Sequence, residues 1–405
     1  MNSVIVVHHH EITLKKGNRG YFEKILMKNI RIALSGYSST FKLRGGYGRF
    51  VIEFDSEVNT EQVAQELKTV FGIANICVGV KVEQSLEAFY AEAERLLVNR
   101  EFRTIKVHTT RPDKRFPLNS VEVNIKVGDF LCTRFNVRAN LTTPDETIFI
   151  EIVEGVAYVY RSKIRGAAGL PVGASGKVVS LISAGFDSPV ASWRMMRRGC
   201  TVHYAHFHSM PYTSRHSLDQ VRELVTLLTK YQFHSKLFIV PFADVQNEIV
   251  LHAPQPLRVI FYRRFMIRVA EAIARQTHAE ALVTGEAVGQ VASQTLRNIR
   301  VIDDAATMPI LRPLAGMDKE ETMDTARVIG SYDISKEPYD DCCSFLAPRN
   351  PATWAMMHEV LEAETKLDVP RLVELALSNK TLEEFSFPSN AQAIMEEEPL
   401  LEDAT

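Results

Sequence analysis

The sequence predicts an α/β protein, with a C-terminal parallel sheet covered by helices on both faces and an α+β half before it. Three observations carry that expectation. From residue 178 onward, β-branched runs alternate with apolar stretches at helical spacing, the rhythm of a parallel sheet with helices on both faces. Before residue 165 strand-like and helical stretches mix without that regular alternation. Between them, Gly166-Ala-Ala-Gly-Leu-Pro-Val-Gly-Ala-Ser-Gly176 reads as a domain boundary, because glycine and proline interrupt both kinds of element.

In the first half, Val4 to Val7 is an apolar strand. Tyr21 to Leu34 places Phe22, Ile25, Leu26, Ile30 and Leu34 at helical spacing, and Gly48 to Phe54 returns as a strand. Helices are predicted around Glu61 to Thr69 and from Ser85 to Val98. Strand-like runs follow at Thr104 to Thr109, Leu131 to Asn136, Thr147 to Ile152 and Val156 to Tyr160. Beyond the boundary come strand 178–182, helix 189–198, strand 201–207, helix 216–231, strand 236–240, helix 256–277, strand 280–284 and helix 318–329. Ligands of such sheets bind outside the carboxyl ends of the strands, which are Ser183 and the run Ala205-His206-Phe207-His208.

A chain of 405 residues holds two or three domains with sizeable cores. No apolar run approaches the ~20 residues of a membrane span, and the N-terminus lacks a secretory signal, so no membrane partner and a cytoplasmic location are expected. Cys77, Cys132, Cys200, Cys342 and Cys343 have neither C-x-x-C nor zinc spacing, which fits a reducing compartment. No metal site of the protein's own is predicted. His8-His9-His10 follows a strand, where consecutive side chains point to alternate faces and cannot converge on one ion. A net charge of −2 argues against indiscriminate nucleic-acid binding, yet residues 95–177 carry 14 Lys and Arg against 8 Asp and Glu, and the tail from Glu396 to Asp403 is acidic. A basic sector on a near-neutral chain suits one polyanion docked on one face, although a solvated charged face gives similar counts.

The stretch Lys177-Val-Val-Ser-Leu-Ile-Ser-Ala-Gly-Phe-Asp-Ser-Pro-Val-Ala-Ser-Trp193 carries the chemistry. An apolar strand enters a small-residue turn, and Pro189 suits the first helical position, where its missing N–H has no partner to lose. Orphan N–H groups and the helix dipole make such a turn an anion site. Ser183 and Ser188 add hydroxyls. Asp187 is repulsive beside phosphate unless a cation lies between them, so phosphate with Mg²⁺ is the expected ligand. A Walker A loop is excluded by spelling, because Gly176-Lys177 has Pro171 at the first glycine and Val178 after the lysine.

The loop is similar to the S-G-G-x-D-S loop of ATP pyrophosphatases, with Ala184 in place of the second glycine. That exchange is harmless if φ stays below zero. Further motifs occur in order: Glu11-Ile-Thr-Leu-Lys-Lys-Gly-Asn-Arg19 with Tyr21-Phe22, Lys114-Arg-Phe-Pro-Leu-Asn119, Ile164 to Gly173, Thr284-Gly-Glu, Gly289-Gln-Val-Ala-Ser-Gln-Thr295, Arg312-Pro-Leu, Gly316-Met-Asp-Lys319 and Asp341-Cys-Cys343. Over almost its whole length the chain resembles the tRNA 4-thiouridine synthetases (tRNA uracil 4-sulfurtransferases), in a short form without a rhodanese domain. It departs at Ala184 and at His8-His9-His10, where relatives usually have Arg-Tyr-Gly.

The resemblance implies a ferredoxin-like domain over 1–59, a THUMP RNA-binding domain over 60–165 and a PP-loop ATP pyrophosphatase domain over 174–390. It implies that Leu181, Ile182, His206 and Phe207 hold the adenine. Ser183, Gly185 and Ser188 form the phosphate loop, and Arg263, Gly285 and Gln294 add nucleotide contacts. Leu181 and Ile182 are also expected core residues, Gln294 also reads as a helix-surface residue, and Arg264 reads as a solvated neighbour of Arg263. Asp187 and Lys319 match residues needed for activity, and a cation in the first turn of a helix is electrostatically out of place otherwise. Cys343 aligns with the persulfide-bearing cysteine, ahead of Cys342, while Cys77, Cys132 and Cys200 read as buried spectators.

The implied cofactors are ATP and Mg²⁺. The implied reaction adenylates O4 of a tRNA uridine, and persulfide sulfur then displaces AMP. Lys114, Arg115, Lys163 and Arg165 in the basic sector are expected to meet tRNA phosphates. A cysteine desulfurase is the expected sulfur donor, a homodimer stays open, and a link to thiamine thiazole synthesis leans on the rhodanese domain of longer members. Two rival readings are an amide- or guanidine-forming synthetase with a small acceptor, and a non-catalytic tRNA-binding protein.

Overall fold

Residues 3–37, 40–46, 48–340, 342, 346–391 and 394–395 are described in a computed structural model. The acidic tail beyond residue 395 lies outside them. The chain divides into two units, Met1–Leu170 and Pro171–Thr405.

The first unit is built on one nine-stranded sheet. Its elements are β1 (Ser3–His8), α1 (Arg19–Ala33), β2 (Phe41–Gly46), β3 (Arg49–Phe54), α2 (Thr60–Leu67), β4 (Asn75–Val82), α3 (Leu86–Leu97), β5 (Thr104–Thr110), α4 (Ser120–Phe135), β6 (Arg138–Ala139), β7 (Glu146–Val153), β8 (Val156–Tyr160) and β9 (Ile164–Arg165). The order is β2-β3-β1-β4-β8-β7-β5-β6, with β9 on β4. Strands β4 and β8 pair antiparallel with Gly79 opposite Tyr160, so the early and late parts of this unit share one hydrogen-bonded surface. Helix α1 buries Phe22, Ile25, Leu26 and Ile30 as its spacing requires.

One expectation fails here. Leu131 to Asn136 is not a strand but the end of α4 and its cap. Asn119 and Glu122 form a capping box that starts the helix, and Asn136 ends it in the left-handed conformation at φ 54°. Val123, Val127 and Leu131 recur every four residues and are fully buried, so packing overrides the β propensity of the valines. Cys132 is accordingly helical and only half-buried.

The second unit carries β10 (Lys177–Leu181), α5 (Asp187–Arg197), β11 (Thr201–His208), α6 (His216–Gln232), β12 (His234–Pro241), α7 (Ala243–His252), α8 (Arg258–Gln276), β13 (Ala281–Val283), α9 (Leu296–Asp303), β14 (Ile310–Leu311), α10 (Lys319–Ile329), α11 (Tyr332–Ser335), α12 (Met357–Glu364), α13 (Val369–Ser378) and β15 (Thr381–Ser386). The sheet order is β14-β13-β10-β11-β12-β15. All neighbours are parallel except β15, which runs antiparallel to β12. The chain moves outward from β10 to β12 and then returns to place β13 on the other side of β10. That reversal makes the carboxyl end of β10 the switch point where such sheets take ligands. Val179, Phe207, Val240, Phe261, Phe265, Leu282 and Leu372 belong to one core beneath it.

Candidate active site

The turn after β10 is closed by its two serines. The Ser183 N–H donates to Ser188 Oγ at 2.9 Å, and the Ser188 hydroxyl donates to the Ser183 carbonyl at 3.1 Å. The expected hydroxyl donor at Ser188 is therefore engaged in holding the loop. Helix α5 starts at Asp187, so Pro189 is its third residue and not its first; its missing N–H is still one of the orphans of the first turn. The left-handed conformers among the described non-glycine residues are Lys16, Asn136, Glu154, Ala168, Phe233 and His278. Ala184 is not one of them, and with 1% exposure it fits its place without backbone strain.

Three later segments meet this loop. A Cβ on Gly285 would stand 2.7 Å from the Ser188 nitrogen and 2.8 Å from the Asp187 carbonyl carbon, so the end of β13 packs on the first turn of α5 only as glycine. Gln290 Nε2 donates to Asp187 Oδ2 at 3.1 Å. The Ser335 hydroxyl donates to the Gly185 carbonyl at 3.3 Å, the ring of Tyr332 lies 5.3 Å from that of Phe186, and a Cβ on Gly185 would be 2.8 Å from Tyr339 Oη. The chain running toward Cys342 thus lies on the loop. Burial pushes the Asp187 carboxyl up, against the Gln290 hydrogen bond and the positive charge of Lys319. Lys319 is exposed at the start of α10, whose N-terminus is already capped by Asp318 and Glu321.

A second cluster gathers around Glu286, which the sequence reading quoted in a motif without giving it a role. Thr284 Oγ1 and Arg312 Nε donate to Glu286 Oε2 at 3.0 and 2.8 Å, Arg312 also grips Asp303, and Arg263 Nη1 stands 4.0 Å from Glu286 Oε1. The Thr-Gly-Glu and Arg-Pro-Leu motifs are signals for this partnership. Arg264 is corrected outright. It is 1% exposed, makes paired bonds of 2.9 and 2.8 Å to Glu364, and reaches Asp304. Adjacent arginines on α8 thus divide into a half-buried one near the strand ends and a fully buried one.

The remaining sequence-named residues fall unevenly. His206 Nδ1 pairs with the Ile182 carbonyl at 3.0 Å, tying the ends of β10 and β11. Adjacent strand residues face opposite ways, and Phe207 turns into the core beside Phe242, with Leu181 packed against the same core. Gln294 is 6% exposed on a 3₁₀ turn, not on a helix surface, and among the described residues its Oε1 has no partner. Cys343 lies outside the described residues. Cys342 is buried in the core, and its carbonyl accepts from Gln246 Nε2 at 2.7 Å. One more strand of the sheet, β15, follows the Asp-Cys-Cys motif in the chain.

In the first unit Lys114, Arg115, Lys163 and Arg165 are all exposed. Arg115 is held by Asp113 at 2.9 Å, and that hydrogen bonding keeps the Asp113 carboxyl well below the usual range. Lys163 Nζ stands 4.5 Å over the Phe149 ring. His8, the last residue of β1, pairs with Glu151 and His9, just past it, with Glu23, so these two histidines take different partners. Among the described residues no three His, Cys, Asp or Glu side chains form a metal cage, and no helix is long and apolar enough to cross a membrane.

Comparison with known proteins fits this geometry. A ThiI ferredoxin-like domain matches residues 4–77, a THUMP domain residues 83–161, and the family described as "Thiamine biosynthesis protein (ThiI)" residues 173–369. The "Probable tRNA sulfurtransferase" of Thermoanaerobacter sp. (strain X514) is 40% identical over 375 residues, 92% of this chain and 98% of its own. The protein of the same name from Moorella thermoacetica is 41% identical over 380 residues, 94% and 97% of the two chains. A crystal structure of a 4-thiouridine synthetase–RNA complex with bound ATP superposes with a TM-score of 0.86 at 34% identity, covering 95% of this chain and 100% of that one.

Proposed function

Because the chain belongs to the tRNA sulfurtransferase family, we propose that it converts a tRNA uridine, position 8 in this kind of enzyme, to 4-thiouridine. ATP is cleaved to AMP and pyrophosphate as O4 of the uridine is adenylated, which turns a poor leaving group into a good one. Persulfide sulfur on Cys343, supplied by a cysteine desulfurase in the cytoplasm, then displaces AMP. A second thiol cleaves the remaining S–S bond and releases 4-thiouridine.

The observation that carries this reading is the convergence on one turn. Asp187, Gln290, Gly285 and Lys319 meet at the N-terminus of α5, and the segment leading to Cys343 lies against Gly185. The N–H groups of Ser183 to Ser188 and the helix dipole receive phosphate. Leu181, Ile182 and His206 form the strand-end platform for adenine, with Phe207 supporting it from the core. Arg263 and Gln294 complete the nucleotide contacts; the unpartnered buried Oε1 of Gln294 is an acceptor held ready for a ligand donor. Lys319 brings a mobile cation to the phosphates.

Asp187 fits Mg²⁺ held together with ATP, because such an ion takes one or two carboxylates and completes its shell with phosphate oxygens and water. Bound there, the ion would neutralise charge on the phosphates. In the first unit Lys114, Lys163 and Arg165 contact tRNA phosphates, with Arg115 doing so beside its Asp113 partner.

The test supplies the protein with unmodified tRNA, ATP, Mg²⁺ and a persulfide source, and measures 4-thiouridine and pyrophosphate. RNA-dependent formation of both is expected. Pyrophosphate release that needs no RNA, or RNA binding without any release, overturns the reading.

A further inference from the structure

Two segments of the second unit are fastened into one surface next to the loop site. Thr295 Oγ1 donates to the Thr353 carbonyl at 2.9 Å. Asn298 Nδ2 donates to the carbonyls of Ala292 and Ala352 at 2.7 and 2.8 Å, and the Ala355 N–H donates to Asn298 Oδ1 at 2.9 Å. The first of these segments also sends Gln290 to Asp187, so the surface continues directly from the candidate site.

Residues 288–300 and 346–358 include Arg297, Arg300 and Arg349 and not one Asp or Glu, in a chain of net charge −2. Val288, Val291, Leu296 and Trp354 are exposed on these segments, Trp354 at 66%. The Arg297 guanidinium lies 4.0 Å over the Trp354 ring and also donates to Met356 Sδ at 3.0 Å. Arginine thus covers one face of a solvent-exposed indole and fixes its plane, on segments that carry arginine and no acid of their own.

A flat aromatic in a positive field is what unpaired bases of single-stranded RNA stack upon. Chemistry on a base also requires that the base leave its stack. We infer that Trp354, backed by Arg297, is the stacking platform for the unpaired tRNA base at the position being modified. This rests on the function proposed above and adds to it a base contact on the catalytic unit, separate from the phosphate contacts of the first unit.

The chain has two tryptophans, and Trp193 is only 8% exposed, so quenching by RNA reports on Trp354. Wild type, Trp354→Ala and Trp354→Phe are titrated with an unmodified tRNA transcript and with the same transcript abasic at the target position. Quenching of the wild type by the intact transcript is expected, with little from the abasic one and none in Trp354→Phe. Trp354→Ala should raise the KM for tRNA about tenfold, the scale of one base–aromatic stack, with ATP affinity unchanged and Trp354→Phe close to wild type. Equal quenching by the two transcripts, or a wild-type KM for tRNA in Trp354→Ala, overturns the platform. So does a weakened response to the desulfurase with tRNA affinity intact, which would make the surface a protein dock. A wild type that forms 4-thiouridine without quenching sinks the platform alone, whereas a wild type that forms no 4-thiouridine sinks the function and the platform with it.

Discussion

Each unit buries a glutamate against basic side chains, and the two clusters differ in what they join. In the first unit Glu151 of β7 meets His8 of β1 at 2.7 Å, Arg49 of β3 and Tyr160 of β8. One carboxylate thereby ties strands from both halves of the sheet. In the second unit Glu364, the last residue of α12, grips Arg264 and Arg268 of α8, binding helix to helix and leaving the strand ends open. Burial acts to raise both carboxyls, but their hydrogen-bonded cations outweigh it and bring each to about 2. Asp187 goes the other way. Its burial is opposed only by an amide and a more distant lysine, and its carboxyl is raised. A fully partnered buried carboxylate is architecture, and Asp187, left short of partners at the start of α5, is the one that the proposed function gives to a ligand.

The largest effect should come from the catalytic unit. Cys343→Ala should form no 4-thiouridine from a persulfide donor while still releasing pyrophosphate, and free sulfide should restore some product. Normal thiolation by this variant with the persulfide donor would remove Cys343 from the mechanism, and a dead Cys342→Ala would exchange the two.

The carboxylates come next. Glu364→Ala strands Arg264 and should cost about 3–5 kcal/mol of stability, read by denaturant unfolding, with Glu151→Ala producing a comparable loss in the first unit. Both groups are depressed, so their contribution is complete above the unfolded value of about 4.3 and disappears as pH falls toward about 2. An acid titration should therefore lose stability in that window, and Glu364→Gln should flatten it for the second unit. Asp187→Asn is the counter-case. It should lower product formation about a hundredfold or more yet leave Tm equal or higher, because the raised carboxyl means the fold disfavours this charge at neutral pH. An Asp187→Asn protein that unfolds like Glu364→Ala erases the distinction between the two kinds of carboxylate.

Smaller effects sharpen the contrast between units. The Lys114/Arg115 double alanine should bind every tRNA more weakly and reduce the salt slope by about one per lost phosphate contact. Arg115 should contribute the smaller share because Asp113 already holds it; an unchanged slope would clear both residues. Ala184→Gly should leave ATP affinity unaltered and cost about 0.5–1 kcal/mol through backbone entropy. Restoration by glycine of ATP binding absent in the wild type would show that the loop needs the glycine.

The alternating half was the more legible. Strands β10 to β13 are short apolar runs, and their helices are long and periodic, so composition and spacing suffice. The edge strands β2, β14 and β15 went unread because pairing partners define them. Helix α4 was misread where its cap at Asn119 outweighs the valines after it, and β4 and α7 were passed over. In the site, the contiguous loop was legible, as were Asp187 and Lys319 as residues out of place on simple electrostatics.

By itself, then, the sequence determined the elements whose signal lies within a dozen residues: the strands and helices of the parallel alternation and the small-residue turn at a helix start. Tertiary structure alone decided that Arg264 is buried and Arg263 is not, that Gly285 serves the packing of α5, that Ser188 is occupied in clamping its own loop, and that Tyr339 passes over Gly185. The reason is physical. The cost of burying a polar or charged group is set by the partner that meets it, and Glu364 meets Arg264 from 100 residues away, a distance over which residue type and periodicity carry no information about contact.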